Sequence, residues 1–210
     1  MILPPEHAFA GLPRNGFGTL YCDPPWRFEV WNGNTTVKAR DSRSTCPSAA
    51  VHYETMSAQE LSLLPVGDLA ADDCALFMWV TWPTLEQALD LMKIWGFSYK
   101  TCGFSWMKAH ATQIQLFDDE IEAGMGMGYW SRANNECCLL ATKGKPKRLN
   151  ADVRQGIIEP RRQHSRKPDC VHGRIERLVA GPYCELFARA PKAGWTVWGN
   201  QTSRFKEVAA

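Results

Sequence analysis

The sequence predicts an α/β fold, a mostly parallel sheet with helices on both faces. Three observations carry that reading. Apolar runs of strand length, such as Cys74-Ala-Leu-Phe-Met-Trp-Val80, lack polar alternation and suit strands buried on both sides. Segments with apolar residues at helical spacing stand between these runs. The 210 residues are 45% hydrophobic and 22% charged, the balance of an ordinary globular domain with a sizeable core. The chain, 1–210, is read as a single domain, with neither an internal repeat nor a linker.

Thr19-Leu-Tyr-Cys22 is the first strand. Asp23-Pro24-Pro25-Trp26 ends it, because proline cannot continue a central strand and Pro24 holds Asp23 extended. Asp23 is therefore expected at the carboxyl end of a buried strand, with the chain turning away at once. Residues 27–52 are polar, rich in Gly, Ser, Thr and Asn, and without period. A loop of that length is commonly a lid or binding loop, and a mobile substrate loop is expected here. Ser57-Ala-Gln-Glu60 is a capping box that opens a short helix.

Cys74–Val80 is the second strand. Pro83 then starts a helix with Leu85, Ala88, Leu89, Met92 and Trp95 on one face, stopped by Gly96. Residues 97–107 read as a strand, Gly124, Gly126 and Gly128 as a loop, and Glu136–Thr142 as another strand. A short strand covers 153–158. Ser165 and Pro168 open a helix that closes at Gly181. Tyr183–Arg189 and Trp195–Trp198 are the last strands, followed by Gly199-Asn200-Gln201.

Several function classes are excluded on composition. No apolar run reaches the ~18–20 residues of a membrane span, and the N-terminus has no basic start before an apolar block. No membrane association and a cytoplasmic location are the expectations. Of eight cysteines, Cys22, Cys74, Cys137, Cys138 and Cys184 sit in apolar runs, and there is no C-x-x-C. They read as reduced, buried thiols, with no metal site. The net charge of +2 hides an asymmetry: residues 143–177 hold eleven Lys/Arg against four acids. Such a stretch suggests a polyanionic partner, although a solvated surface laced with ion pairs would look the same.

Ligands of open α/β sheets bind beyond the carboxyl ends of the strands, where Asp23 stands. The lone pair of an adenine N6 amine is delocalised into the ring, so the amine is a poor nucleophile. An ionised Asp23 can accept one N6–H and the carbonyl of Pro24 the other. Two acceptors out of the ring plane favour a pyramidal nitrogen with a free lone pair. Prolines hold such acceptors rigidly, the preorganisation a transition state rewards. Trp26 offers a face on which an extruded base could stack. The carboxylate acts here as an electrostatic acceptor rather than a strong base. Taken alone, the quartet equally fits a strand-ending turn with a core tryptophan.

The motifs in order resemble one family. YCDPPW (21–26), HYETMS (52–57), ALFMWVT (75–81), GYWSRANNECCLLATKGKP (128–146), SRKPDCVHGRIERL (165–178) and YCELFARAPKAGWTVWGNQ (183–201) are similar to the MT-A70 group of S-adenosylmethionine-dependent N6-adenine methyltransferases. The resemblance implies a Rossmann-like methyltransferase fold in permuted order, with the catalytic strand before the cofactor-binding strand. It implies S-adenosylmethionine as cofactor and nucleic acid as substrate, DNA before RNA, in a compact bacterial or phage-type member. Asp23, Pro24, Pro25 and Trp26 match the family's catalytic motif. Asp23, Lys167, Arg189, Asn200 and Gln201 match its cofactor-binding positions. Trp26, Tyr53, Trp130 and Glu136 match positions around the adenine.

The chain departs from the family in two places. Residues 27–52 are longer than in the eukaryotic RNA enzymes. Ala188 stands where glycine is common, before a shortened turn. Without the resemblance, Lys167 reads as a solvated charge and Asn200-Gln201 as a turn, while Trp79, Trp95, Trp106, Trp195 and Trp198 read as core. The competing function is a non-catalytic nucleic-acid-binding member of the same fold, or an RNA N6-adenine methyltransferase. A homodimer stays open.

Overall fold

Every strand read from the apolar runs is present, with shifted bounds: the first begins at Phe17 rather than Thr19, the second at Ala70 rather than Cys74, and the fifth covers Gly156–Pro160 rather than 153–158. In a computed structural model that describes residues 8–27, 55–109, 133–162 and 166–205, β1 spans Phe17–Cys22, β2 Ala70–Val80, β3 Ser98–Ala109 and β4 Asn135–Lys143. Gly156–Pro160, Tyr183–Leu186 and Trp195–Trp198 form β5, β6 and β7. The helices are α1 (Ala58–Ser62), α2 (Leu85–Ile94) and α3 (Cys170–Leu178). The expected substrate loop lies, except for Arg27, outside the described residues, as does the glycine loop at 124–128.

The strands form one sheet in the order β5-β3-β4-β2-β1-β6-β7. Four of the six pairings are parallel; β4 runs antiparallel to both β2 and β3. Side chains of β2 alternate between two cores. Cys74, Leu76, Met78 and Val80 pack with Leu61 of α1 and Leu91 and Met92 of α2. Ala75, Phe77 and Trp79 pack on the other face with Val171 and Ile175 of α3. Both faces of the sheet are thus covered, which is why the strand reads as an unbroken apolar run. This is the expected Rossmann-like α/β fold, with the strand that leads to Asp23 earlier in the chain than its parallel neighbour β6.

Other boundaries also differ from the sequence reading. Helix α3 begins at Cys170, not at Pro168; Asp169 immediately precedes it, and its carboxylate is bound by Arg162 and Arg166 instead of capping the helix. It ends at Leu178, where Val179 is extended and bridges to Arg148. Strand β6 stops at Leu186, because Phe187 turns the chain with φ at 60°. That left-handed conformation is uncommon for a bulky residue and concentrates at functional turns.

Candidate active site

Strand β1 is flanked by β2 on one side and β6 on the other; the chain passes from β1 to β2 in one direction and from β6 to β7 in the other, so the connections diverge between β1 and β6. Asp23 directly follows its carboxyl end, at the switch point where α/β sheets form their binding crevice. The two prolines then carry the chain out of the sheet. Met56 pins the turn: its N–H donates to the Pro25 carbonyl at 2.8 Å, and its carbonyl accepts Arg27 N–H at 2.9 Å. The Pro24 carbonyl receives the Trp26 N–H at 2.8 Å, which leaves its second lone pair for a ligand.

Trp26 occupies the core. It is 5% exposed, and its indole N–H donates to the Trp79 carbonyl at 3.1 Å. The stacking face expected of it is closed off, because the turn at the prolines folds the ring back under the sheet's end beside Met78 and Val80. Its evident contribution is to anchor the quartet.

Five charged side chains alternate in sign across the strand ends. Lys108 Nζ lies 2.5 Å from Glu136 Oε1, and Lys167 Nζ lies 3.0 Å from Glu136 Oε2. The same Lys167 Nζ is 2.9 Å from Asp23 Oδ2, which Arg189 also reaches at 3.2 Å. Both cations thus bind one oxygen of Asp23, and among the described residues Oδ1 carries no hydrogen bond. Lys167 also lies over the Trp79 ring, 5.5 Å from its centroid. Burial works against the Glu136 carboxylate, but Lys167 and Lys108 prevail and bring its pKa down to about 2. Burial likewise opposes the Lys167 ammonium, and Asp23 and Glu136 outweigh it and raise its pKa.

Beside Asp23 opens a solvent-facing cleft. Arg189 and Lys192 bring positive charge to it, and Glu185 brings a carboxylate. Glu185 accepts or shares a proton with His172 Nε2 at 2.7 Å, while His172 Nδ1 is buried with no hydrogen-bond partner among the described residues. Mixed acids and bases, with an unsatisfied polar atom in the wall, fit a zwitterionic cofactor carrying a sulfonium, a carboxylate and hydroxyls. The turn after β6 shapes this cleft: a Cβ on Gly199 would lie 2.7 Å from the Ala188 carbonyl oxygen.

Asp23, Lys167, Arg189 and Glu136 therefore come together. Asn200 is exposed, and Gln201 uses its Oε1 to accept Arg204 at 2.7 Å; neither lines the cleft. Tyr53 and Trp130 lie outside the described residues. Sequence reasoning missed Lys108, whose one signal was a cation at the end of an apolar strand, and His172, which sits on the inner face of α3.

The basic stretch is not one surface. Lys143 donates to the carbonyls of Gly67 and Ala70, Arg174 to those of Arg154 and Gly156, and Arg177 pairs with Asp152. Arg162, Arg166 and Lys167 are bound to acids as described. Lys145, Lys147 and Arg148 are exposed, but they follow Lys143, which pairs with Cys74 at the end of the sheet opposite Asp23. Exposed Arg161 follows β5, at the same end as Asp23.

Comparison with known proteins agrees with this geometry. The MT-A70 family model matches residues 17–201. The chain is 33% identical to Type II methyltransferase M.MunI of Mycoplasma sp over 205 residues, covering 93% of this chain and 82% of that one. It is 33% identical to the Drosophila melanogaster N(6)-adenosine-methyltransferase MT-A70-like protein, over 91% of this chain and 28% of the relative. Against the human N(6)-adenosine-methyltransferase catalytic subunit METTL3 the identity is 30%, over 88% and 28%. This chain thus spans about a quarter of the length of those animal relatives and most of the length of the Mycoplasma one. With a match across nearly every described strand and a carboxylate at the switch point, the chain belongs to the MT-A70 family of methyltransferases.

Proposed function

We propose that this protein transfers the methyl group of S-adenosylmethionine to the N6 amine of adenine in nucleic acid, with DNA as the substrate. The observation that carries the reading is Asp23. Its carboxylate is clamped through Oδ2 by Lys167 and Arg189, and Oδ1 is left as an acceptor at the edge of the cleft. DNA is favoured because the type II methyltransferase is matched over 82% of its own length, while the human adenosine methyltransferase is matched over 28% of its own. We place the enzyme in the cytoplasm, where its substrate would lie.

The cofactor supplies an electrophilic methyl carried on a sulfonium. Arg189, Lys192 and Glu185 line the cleft that would hold it. Asp23 Oδ1 accepts one N6–H, and the remaining lone pair of the Pro24 carbonyl accepts the other. Both acceptors are fixed before the substrate arrives: the carboxylate by its two cations, the carbonyl by the turn that Met56 pins. Fixed acceptors of this kind need no reorganisation as positive charge grows on nitrogen. Lys167 ties this centre to Glu136, which resembles a position beside the adenine. Asn200 and Gln201 would reach the cofactor only from the rim.

The test is tritium transfer from labelled S-adenosylmethionine to DNA and RNA of matched sequence. Label in DNA exceeding that in RNA supports the reading. Label confined to RNA moves the substrate to RNA. Cofactor binding with no label in either assigns the chain to the non-catalytic members.

A further inference from the structure

We propose that Trp82 is the nucleic-acid stacking residue of this enzyme, a shelf for a base next to the target adenine. The inference rests on the substrate class proposed above. Trp26, the tryptophan of the catalytic quartet, is buried and cannot serve. Trp82 is 49% exposed, the one tryptophan among the described residues that presents so much of its ring.

Trp82 also stands in the right place. It lies two residues beyond Val80, at the carboxyl end of β2, the end of the sheet that carries Asp23. The β2–β4 register sets Val80 opposite Cys137, so the next residues of β2 approach Glu136 and Asn135. The indole N–H donates to Asn135 Oδ1 at 3.0 Å. Asn135 precedes Glu136, whose carboxylate holds Lys167, which holds Asp23. Met107, 38% exposed, pairs directly with the same Asn135 from β3.

The shelf is rigid. Trp82 opens a single 3₁₀ turn with Pro83 in its second position. Thr84 closes that turn twice on the Thr81 carbonyl, from its backbone N–H at 2.9 Å and its hydroxyl at 3.0 Å. A large aromatic is costly to leave in water, and a solitary one would carry no meaning on its own. Here the ring is fixed in orientation by its own N–H, on a locked turn, at the rim of a site that must accept a base. Every base has a π-face, so such a shelf would tolerate sequence and add affinity.

The test is fluorescence anisotropy with labelled adenine-containing oligonucleotides, single-stranded and duplex, beside calorimetric binding of S-adenosylhomocysteine. Trp82→Ala is expected to weaken oligonucleotide binding about 5- to 150-fold, the range of one lost base–aromatic stack. Trp82→Phe should recover most of it. S-adenosylhomocysteine binding and thermal melting should match wild type in both, which separates a lost stack from a damaged fold. Unchanged oligonucleotide affinity in Trp82→Ala overturns the proposal. So does a dimer of the free protein that Trp82→Ala converts to monomer, since the indole would then belong to an interface between copies. If the wild type binds S-adenosylhomocysteine but no oligonucleotide, the substrate reading itself fails and takes this inference with it.

Discussion

Asp23 and Glu136 are both carboxylates bound by Lys167, yet they do different work. Glu136 has both oxygens engaged, one by each lysine, and is 13% exposed at its side chain. Asp23 has one oxygen engaged and, among the described residues, one open. Asp23→Asn keeps the shape and removes the charge. It should lower single-turnover methyl transfer about 10²- to 10³-fold, the usual loss for one preorganised electrostatic partner. Unchanged transfer would remove Asp23 from the mechanism.

Glu136→Gln speaks to stability. A carboxylate held down at about 2 against an ordinary 4.5 stabilises the fold fully above the ordinary value. That stabilisation drains away as pH falls from about 4.5 toward about 2. Urea unfolding at neutral pH should therefore show Glu136→Gln less stable by about 3 kcal/mol, with the gap to wild type closing on acidification across that window. A gap that stays constant through the window would contradict the ion-pair account. The two carboxylates and Lys167 are legible as motif members in the sequence. Lys108 is not, because its partner comes from β4, 28 positions on, and only the β3–β4 register brings them together.

At the scale of elements, the readable features were those with local causes. The capping box at Ser57 forms as the sequence predicts: Glu60 N–H donates to Ser57 Oγ at 3.2 Å, and Ser57 N–H to Glu60 Oε2 at 2.7 Å. Ser57→Ala should cost about 1 kcal/mol in chemical denaturation, and an effect near zero would mean that α1 is held by packing alone. Strands β2 and β4 were readable because burial on both faces leaves an unbroken apolar run. Their relative direction was not, since hydrophobicity carries no sign of it. The start of α3 was misplaced because Pro168 has the chemistry of a first helical position, whereas the helix starts only after Asp169, whose carboxylate binds two arginines.

The turn between β6 and β7 is a second non-local feature. Gly199 lies against the Ala188 backbone, which cannot move aside as a flexible side chain would. Gly199→Ala should lower stability by about 1–3 kcal/mol. It should also weaken S-adenosylhomocysteine binding, because Ala188 sits between Phe187 and Arg189 of the cleft wall. Calorimetry that finds wild-type affinity in this variant would detach the turn from the cofactor cleft.

For the molecule as a whole, the sequence suggests one basic patch where the fold separates two groups. Six of the eleven cations in 143–177 serve carbonyls or acids within the protein. The remainder divide between the end of the sheet that bears Asp23 and the opposite end. Nucleic acid presented to Asp23 meets Arg161 and not Lys147 or Arg148. Arg161→Ala should therefore weaken oligonucleotide binding and reduce its salt dependence by about one counterion, whereas Lys147→Ala should change neither. The reverse pattern would place docking at the far end of the sheet. Charge counting along a sequence cannot make this distinction, because β5 lies between the two groups and carries Arg161 to the other end of the sheet.

The chemistry is tested most directly by nucleoside analysis of nucleic acid incubated with the protein and S-adenosylmethionine. Enzymatic digestion followed by mass spectrometry should find N6-methyladenine with the wild type and none above background with Asp23→Asn. Methylation at another base or ring position, or N6-methyladenine formed equally by Asp23→Asn, would contradict the account.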